Sequence, residues 1–227
     1  MPRSSAAGGQ TGRPPVTSRA EILAAARRLI DQNGWEKLTI RGLAGELGIG
    51  ATTLYHHVRN KEDLLLLLIT EYALQIPRPE LPAEPRDRIV AVGVLIHDAL
   101  AAWPWAAEVL ATDGFIARIG DPALWVVETI LAGAVDHGCT PAQAVLVFRN
   151  IWYYTVGEIL VRANTAQRHR PETEDPAGYN TAFRGLQNPD LPYLSAVADQ
   201  WGEIAQANTF PQGLSAVVDG LLAQATS

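Results

Sequence analysis

Leu38–Lys61 reads LTIRGLAGELGIGATTLYHHVRNK, and the spacing of its apolar residues decides the fold. Ile40, Leu43, Ala44 and Leu47 fall at i, i+3, i+4 and i+7, one face of a short helix that Thr39 is placed to cap and Gly48 to end. After Gly48-Ile49-Gly50 a second helix is predicted over Ala51–Val58, with Leu54 and Val58 four apart on its buried side. Thr52, Thr53, Tyr55, His56 and His57 spread over the rest of its surface. Two short helices meeting at a glycine-flanked turn make a helix-turn-helix. An exposed face of hydroxyls, aromatics and imidazoles suits phosphates and base edges.

Working outward, Arg19–Asn33 is predicted to be a helix with Ser18 and Glu21 as its capping box and Gly34 as its left-handed stop. Ile22, Ala26, Leu29 and Ile30 give it one apolar stripe to brace the motif from behind, with Trp35 and Leu38 closing the seam. A fourth helix begins after Asn60, which pairs with Asp63 as a cap, and runs through the leucines to about Ile76. Residues 1–17 read as a flexible, weakly basic arm carrying Arg3 and Arg13, and 18–76 as the domain with its connecting helix.

Charge divides along the same line. Residues 1–61 hold nine Lys/Arg against four Asp/Glu, whereas 62–227 hold nine against twenty. A basic module suited to phosphate neutralisation therefore precedes an acidic one that repels DNA. The longest unbroken apolar run, Leu64–Ile69, is too short to span a bilayer, so no membrane partner is expected. The N-terminal arm has no apolar core of the signal-peptide kind, and a lone Cys139 fits a reducing compartment; both readings place the protein in the cytoplasm.

Beyond Pro77–Pro85, PRPELPAEP, which breaks helix repeatedly and sets the expected domain boundary, everything reads as helical. Arg86 to about Ala102 is amphipathic, Pro104 to about Ala111 is shorter, and Asp121-Pro122 and Thr140-Pro141 each open a further helix. The helix of about 142–163 is apolar on more than one side through Val145, Phe148, Ile151, Trp152, Tyr154, Val156, Ile159 and Leu160, which implies a second partner beyond its own core. A last helix covers about 211–225, and the connection 166–189 is polar and rich in Pro and Gly. The fold class is all-α: an N-terminal three-helix DNA-binding domain, then a larger helical domain over 77–227.

The motif resembles the DNA-binding domain of tetracycline-repressor (TetR) type regulators across about residues 18–65, chiefly through Thr53-Leu54-Tyr55, His57, Asn60 and Lys61. Gly213-Leu214 and Gly220-Leu221 are similar to the C-terminal domains of the tetracycline-repressor subclass. The resemblance implies a bacterial regulator, most often a repressor, that binds a palindromic double-stranded operator as a homodimer. Thr39, Thr53, Tyr55, His57 and Lys61 would contact phosphates. Gly50, Ala51, Thr52 and His56 would lie near base edges, and Arg41 would reach either. It also implies that the helices around 142–163 and 211–225 pair with their copies in a four-helix bundle. The base-edge positions carry no Arg or Gln for a bidentate base contact, so thymine methyls, His56, Arg41 and DNA shape are left to specify sequence.

Five of the six tryptophans, Trp103, Trp105, Trp125, Trp152 and Trp201, lie in the second part with Tyr153, Tyr154, Phe115 and Phe148, as a pocket for a flat or hydrophobic small molecule requires. The family's architecture would turn His97, Asp98, Glu128, Arg149 and Asn150 toward it. The expected ligand residues are His97, Trp103, Trp125, Glu128, Arg149 and Trp152. No Gly-x-Ser-x-Gly elbow, phosphate-binding Gly-rich loop or His-Glu-x-x-His helix occurs, so no enzyme is expected. No cofactor or metal is expected either, since His56 and His57 point about 100° apart on a helix and cannot share one ion. The alternative is an all-helical small-molecule carrier without DNA contact, which salt-dependent DNA affinity distinguishes.

Overall fold

The computed structural model describes residues 17–111, 118–168 and 182–225. The arm with Arg3 and Arg13, Phe115, and 169–181 of the polar connection lie outside the described residues. The helices are α1 (Arg19–Asn33), α2 (Ile40–Glu46), α3 (Ala51–Tyr55), α4 (Lys61–Gln75), α5 (Pro85–Ala101), α6 (Pro104–Leu110), α7 (Asp121–Asp136), α8 (Pro141–Arg168), α9 (Pro192–Val197), α10 (Trp201–Ala205) and α11 (Phe210–Ala225). No strand occurs among the described residues.

The chain divides into two compact units, 1–68 and 69–227. That division falls inside α4, whereas the helix-breaking prolines of 77–85 set the boundary expected from sequence; a helix can begin in one unit and end in the next. In the first unit the caps form as read. Ser18 Oγ accepts from Glu21 N–H at 3.2 Å while Glu21 Oε2 accepts from Ser18 N–H at 2.7 Å, and Gly34 stops α1 at φ 85°. Thr39 Oγ1 accepts from Gly42 N–H at 3.0 Å, and Gly48 turns the chain out of α2 at φ 66°. Asn60 Oδ1 accepts from Asp63 N–H at 2.8 Å to start α4. Ile22, Ala26, Leu43, Leu54, Val58 and Leu64 are buried.

One boundary differs. α3 ends at Tyr55 rather than Val58, and His57 and Val58 N–H instead close a turn onto the Leu54 carbonyl at 2.9 and 3.1 Å. Two threonines and a valine favour helix weakly, and the chain must leave α3 in time for Asn60 to cap α4.

In the second unit α5 packs on α7, α8 and α11, and α8 packs on α6, α7 and α11. Ile89, Val92, Ile130, Ile151, Phe210, Leu214 and Leu222 form the buried cluster. Close approach depends on two glycines: a Cβ at Gly93 would meet Leu214 Cδ2 at 2.7 Å, and one at Gly133 would meet Ile89 Cγ1 at 2.7 Å. α8 runs to Arg168, past the expected 163, with Thr140 and Gln143 as its capping box. By length and composition alone its residues 141–166 match a membrane span, which a search for unbroken apolar runs does not register. Yet Ala144, Val147, Ile151, Val156 and Ile159 are buried within the chain. The short helices α9 and α10 were not anticipated from sequence; Pro192 opens the first.

Candidate nucleic-acid interface and ligand cavity

Burial separates the faces of α3. Leu54 and Val58 are buried, while Gly50, Thr52, Thr53, Tyr55, His56 and His57 are exposed and Ala51 is half-buried. Tyr55 is 52% exposed. Thr39 and Arg41 are exposed at the start of α2. All ten predicted contact residues thus belong to the α2–α3–α4 segment, and eight are exposed. Lys61 is half-buried: its Nζ donates to the Glu36 carbonyl at 2.7 Å and lies 5.1 Å from the Trp35 ring centroid. It ties the α1–α2 connection to the head of α4 while keeping further N–H donors. Arg28 reaches Glu46 at 3.6 Å and joins α1 to α2, and Arg59 lies 3.9 Å from Asp63.

The second unit contains a cavity of about 130 Å³. The C-terminal half of α4 contributes Ile69 and Tyr72, with Ile76 just beyond its end; α5 contributes Leu95, Ile96, Ala99 and Leu100. Trp103, Ala106 and Leu110 come from the α6 region, Trp125, Val126 and Val127 from α7, and Phe148 and Trp152 from α8. Tyr72 stacks on Trp103 at 4.2 Å between centroids, and Trp103 on Trp105 at 5.6 Å. The one charged side chain among the described lining residues is Arg78, whose guanidinium carbon lies 5.2 Å from the Trp125 ring centroid. Arg78, Trp125 and Val127 also border a shallower, open depression with Asp121 and Glu128, so the cavity meets solvent on that side.

Trp103, Trp125 and Trp152 line the cavity, and Glu128 sits on its outer rim. His97 does not line it. Its Nε2 lies 2.9 Å from Glu158 Oε2, its Nδ1 3.0 Å from Asp98 Oδ1, and its ring stacks on Phe210 at 3.7 Å. A buried imidazole finds its partners in this α5–α8–α11 seam and serves packing there. Arg149 is also elsewhere: exposed on α8, it bonds the Tyr153 hydroxyl, while Asn150 donates to the Leu146 carbonyl. Trp201 meets Phe183 edge-on, and Tyr154 stacks on Phe210. Sequence reading missed Tyr72 and Arg78. The first was hidden in a helix assigned to the DNA-binding domain, the second in a segment taken as linker. No group of three or more His, Cys, Asp or Glu able to hold a metal ion occurs among the described residues.

Residues 22–68 match the family described as bacterial regulatory proteins, tetR family, and residues 78–225 match the tetracyclin repressor-like C-terminal domain. The chain belongs to the TetR family. Like its TetR-family relatives it is a ligand-responsive, DNA-binding transcriptional repressor. It is 30% identical over 209 residues to the class A tetracycline repressor from transposon 1721 of Escherichia coli, covering 88% of each chain. A TetR regulator of Streptomyces coelicolor, SCO7222, superposes with a TM-score of 0.68 at 28% identity over 92% of this chain and 99% of that one. The S. coelicolor TetR family protein ActR, solved with (S)-DNPA, superposes with a TM-score of 0.71 at 22% identity over 92% and 98%, which shows the shared fold.

Proposed function

We propose that this TetR-family protein acts in the cytoplasm as a homodimer on a two-fold operator and that a small aromatic ligand in the second-unit cavity releases it. The observation that carries the DNA reading is the division of α3 and the turn after it into a buried Leu54/Val58 side and an exposed side of Thr52, Thr53, Tyr55 and His56. In this reading Gly50, Ala51, Thr52 and His56 approach base edges. Thr39, Thr53, Tyr55, His57 and the remaining donors of Lys61 meet phosphates, with Arg41 alongside. The small residues at the base-facing positions leave room for the backbone to approach the groove floor.

The dimer reading rests on α8. Val145, Arg149, Tyr153, Gly157 and Val161 recur every four residues, and all are exposed, with Leu146 beside them. An apolar stripe left over after one side of the helix has been used in the core supports pairing with a second copy through α8 and α11. Release is a population shift: a ligand that favours a head spacing unmatched to the operator lowers DNA affinity by its differential binding.

Fluorescence anisotropy on the DNA flanking its gene, at two salt concentrations, tests the reading. Wild type binds in a salt-sensitive manner, and Tyr55→Ala and Arg41→Ala bind more weakly. Salt-sensitive binding unaltered in both variants would move the contact surface elsewhere, and no affinity for this DNA would place the operator away from the gene.

A further inference from the structure

The cavity wall is aromatic on several sides through Tyr72, Trp103, Trp125, Phe148 and Trp152, and it offers no carboxylate, imidazole or thiol among the described residues. Parallel rings at 4.2 Å, as between Tyr72 and Trp103, present flat faces. Such walls favour a planar, fused-ring ligand over a branched aliphatic one. Against this surface stands one cation, Arg78, at the junction of the cavity and its outer depression. Its backbone is held between Pro77 and Pro79, which fix φ on either side and reduce what must be ordered on binding. Its guanidinium rests over the Trp125 ring and makes no salt bridge among the described residues, although Asp121 and Glu128 share the rim. A guanidinium keeps its charge and five donors at any physiological pH.

Resting on the reading of this cavity as the effector site, we propose that the effector is a planar aromatic acid whose rings lie among the tryptophans and whose anionic group is held by Arg78. An aromatic box can also capture an organic cation. Here Arg78 already covers one ring face and repels a second positive charge placed beside it. A carboxylate or phenolate instead gains a charge-assisted, potentially bidentate bond.

Quenching of intrinsic tryptophan fluorescence by three matched probes tests this: anthracene-2-carboxylate, anthracene-2-carboxamide and a trimethylammonium derivative of the same ring. The carboxylate is expected to bind at least about tenfold tighter than the amide, and the cation weakest. Arg78→Gln, at an exposed position, is expected to leave the melting temperature nearly unchanged and to erase the preference for the acid over the amide. Equal binding of acid and amide to wild type, tighter binding of the cation, or a preference that survives Arg78→Gln overturns the acid assignment but leaves the cavity as the ligand site. If none of the probes binds, and Trp152→Ala does not alter that, the cavity reading fails and the assignment with it.

Discussion

Lys61 has two claims on one ammonium group. Its 2.7 Å bond to the Glu36 carbonyl and its place over Trp35 hold the α1–α2 connection against the start of α4, while the ammonium keeps further N–H donors. Lys61→Met keeps the aliphatic stem and removes the donor, so it is expected to lower stability by about 1 kcal/mol and to weaken DNA binding together. Arg41→Ala, exposed and without a salt bridge among the described residues, should leave the melt unchanged and reduce the salt slope of DNA binding by about one charge. Urea melts and anisotropy on both variants separate the roles. An unchanged melt for Lys61→Met with DNA binding lost would make it a phosphate contact alone. Leu54 is fully buried under α3, and Leu54→Ala is expected to cost about 3 kcal/mol in the same melts. These local features were legible because caps and buried stripes are written within four residues of one another: Ser18 with Glu21, Asn60 with Asp63, Thr140 with Gln143. The cavity was only partly legible. His97 finds Glu158 sixty-one residues away, and nothing in the neighbourhood of Arg78 in the chain signals that Trp125 lies beneath it.

Between helices, contact depends on what is missing. At Gly133 in α7 an added Cβ would sit 2.7 Å from Ile89 Cγ1 and 3.1 Å from the Pro85 carbonyl oxygen, and the backbone atom cannot swing aside. Gly133→Ala should therefore destabilise by about 1–2 kcal/mol, the overpacking of α5 on α7 outweighing the better helix propensity of alanine. Gly45→Ala in α2, where a Cβ meets nothing within 4 Å, should instead stabilise by about 0.5–1 kcal/mol. Thermal melts showing the same sign for both would remove close packing as the explanation. α5 is also tied to α11 by Arg86, whose Nε donates to Asp219 Oδ1 at 2.8 Å and whose other amine bonds Asp219 Oδ2 at 2.9 Å. That guanidinium holds the Asp219 carboxyl below its ordinary 3.8. A carboxylate with a depressed folded value contributes stability that is complete above its unfolded value and fades as pH falls through the folded one. Wild type should therefore melt above Asp219→Asn at neutral pH, and the margin should shrink below pH 3.8. A margin that persists undiminished at acid pH would mean the pair is not its source.

Across the whole molecule, the basic first unit and acidic second unit restrict where DNA can sit, and the exposed side of α8 is the face proposed to pair with a second copy. The same apolarity that gives α8 the length and composition of a membrane span is shared between its buried core residues and the exposed stripe of Val145, Tyr153 and Val161. In the proposed dimer a second copy would cover that stripe and account for both. Gly157 lies in the stripe with nothing within 4 Å of an added Cβ, so a larger residue there leaves the protomer's own packing intact. Gly157→Glu would place a charge in the centre of the α8 contact, where burying it unpaired against its symmetry mate is unfavourable. Light scattering at micromolar concentration should show wild type as a dimer and Gly157→Glu as a monomer of unchanged helical content. The monomer should bind a full operator at least about a hundredfold more weakly, because the second head no longer acts at a high effective concentration. A variant that remains dimeric and keeps its operator affinity would place the dimer contact on another face of the protein.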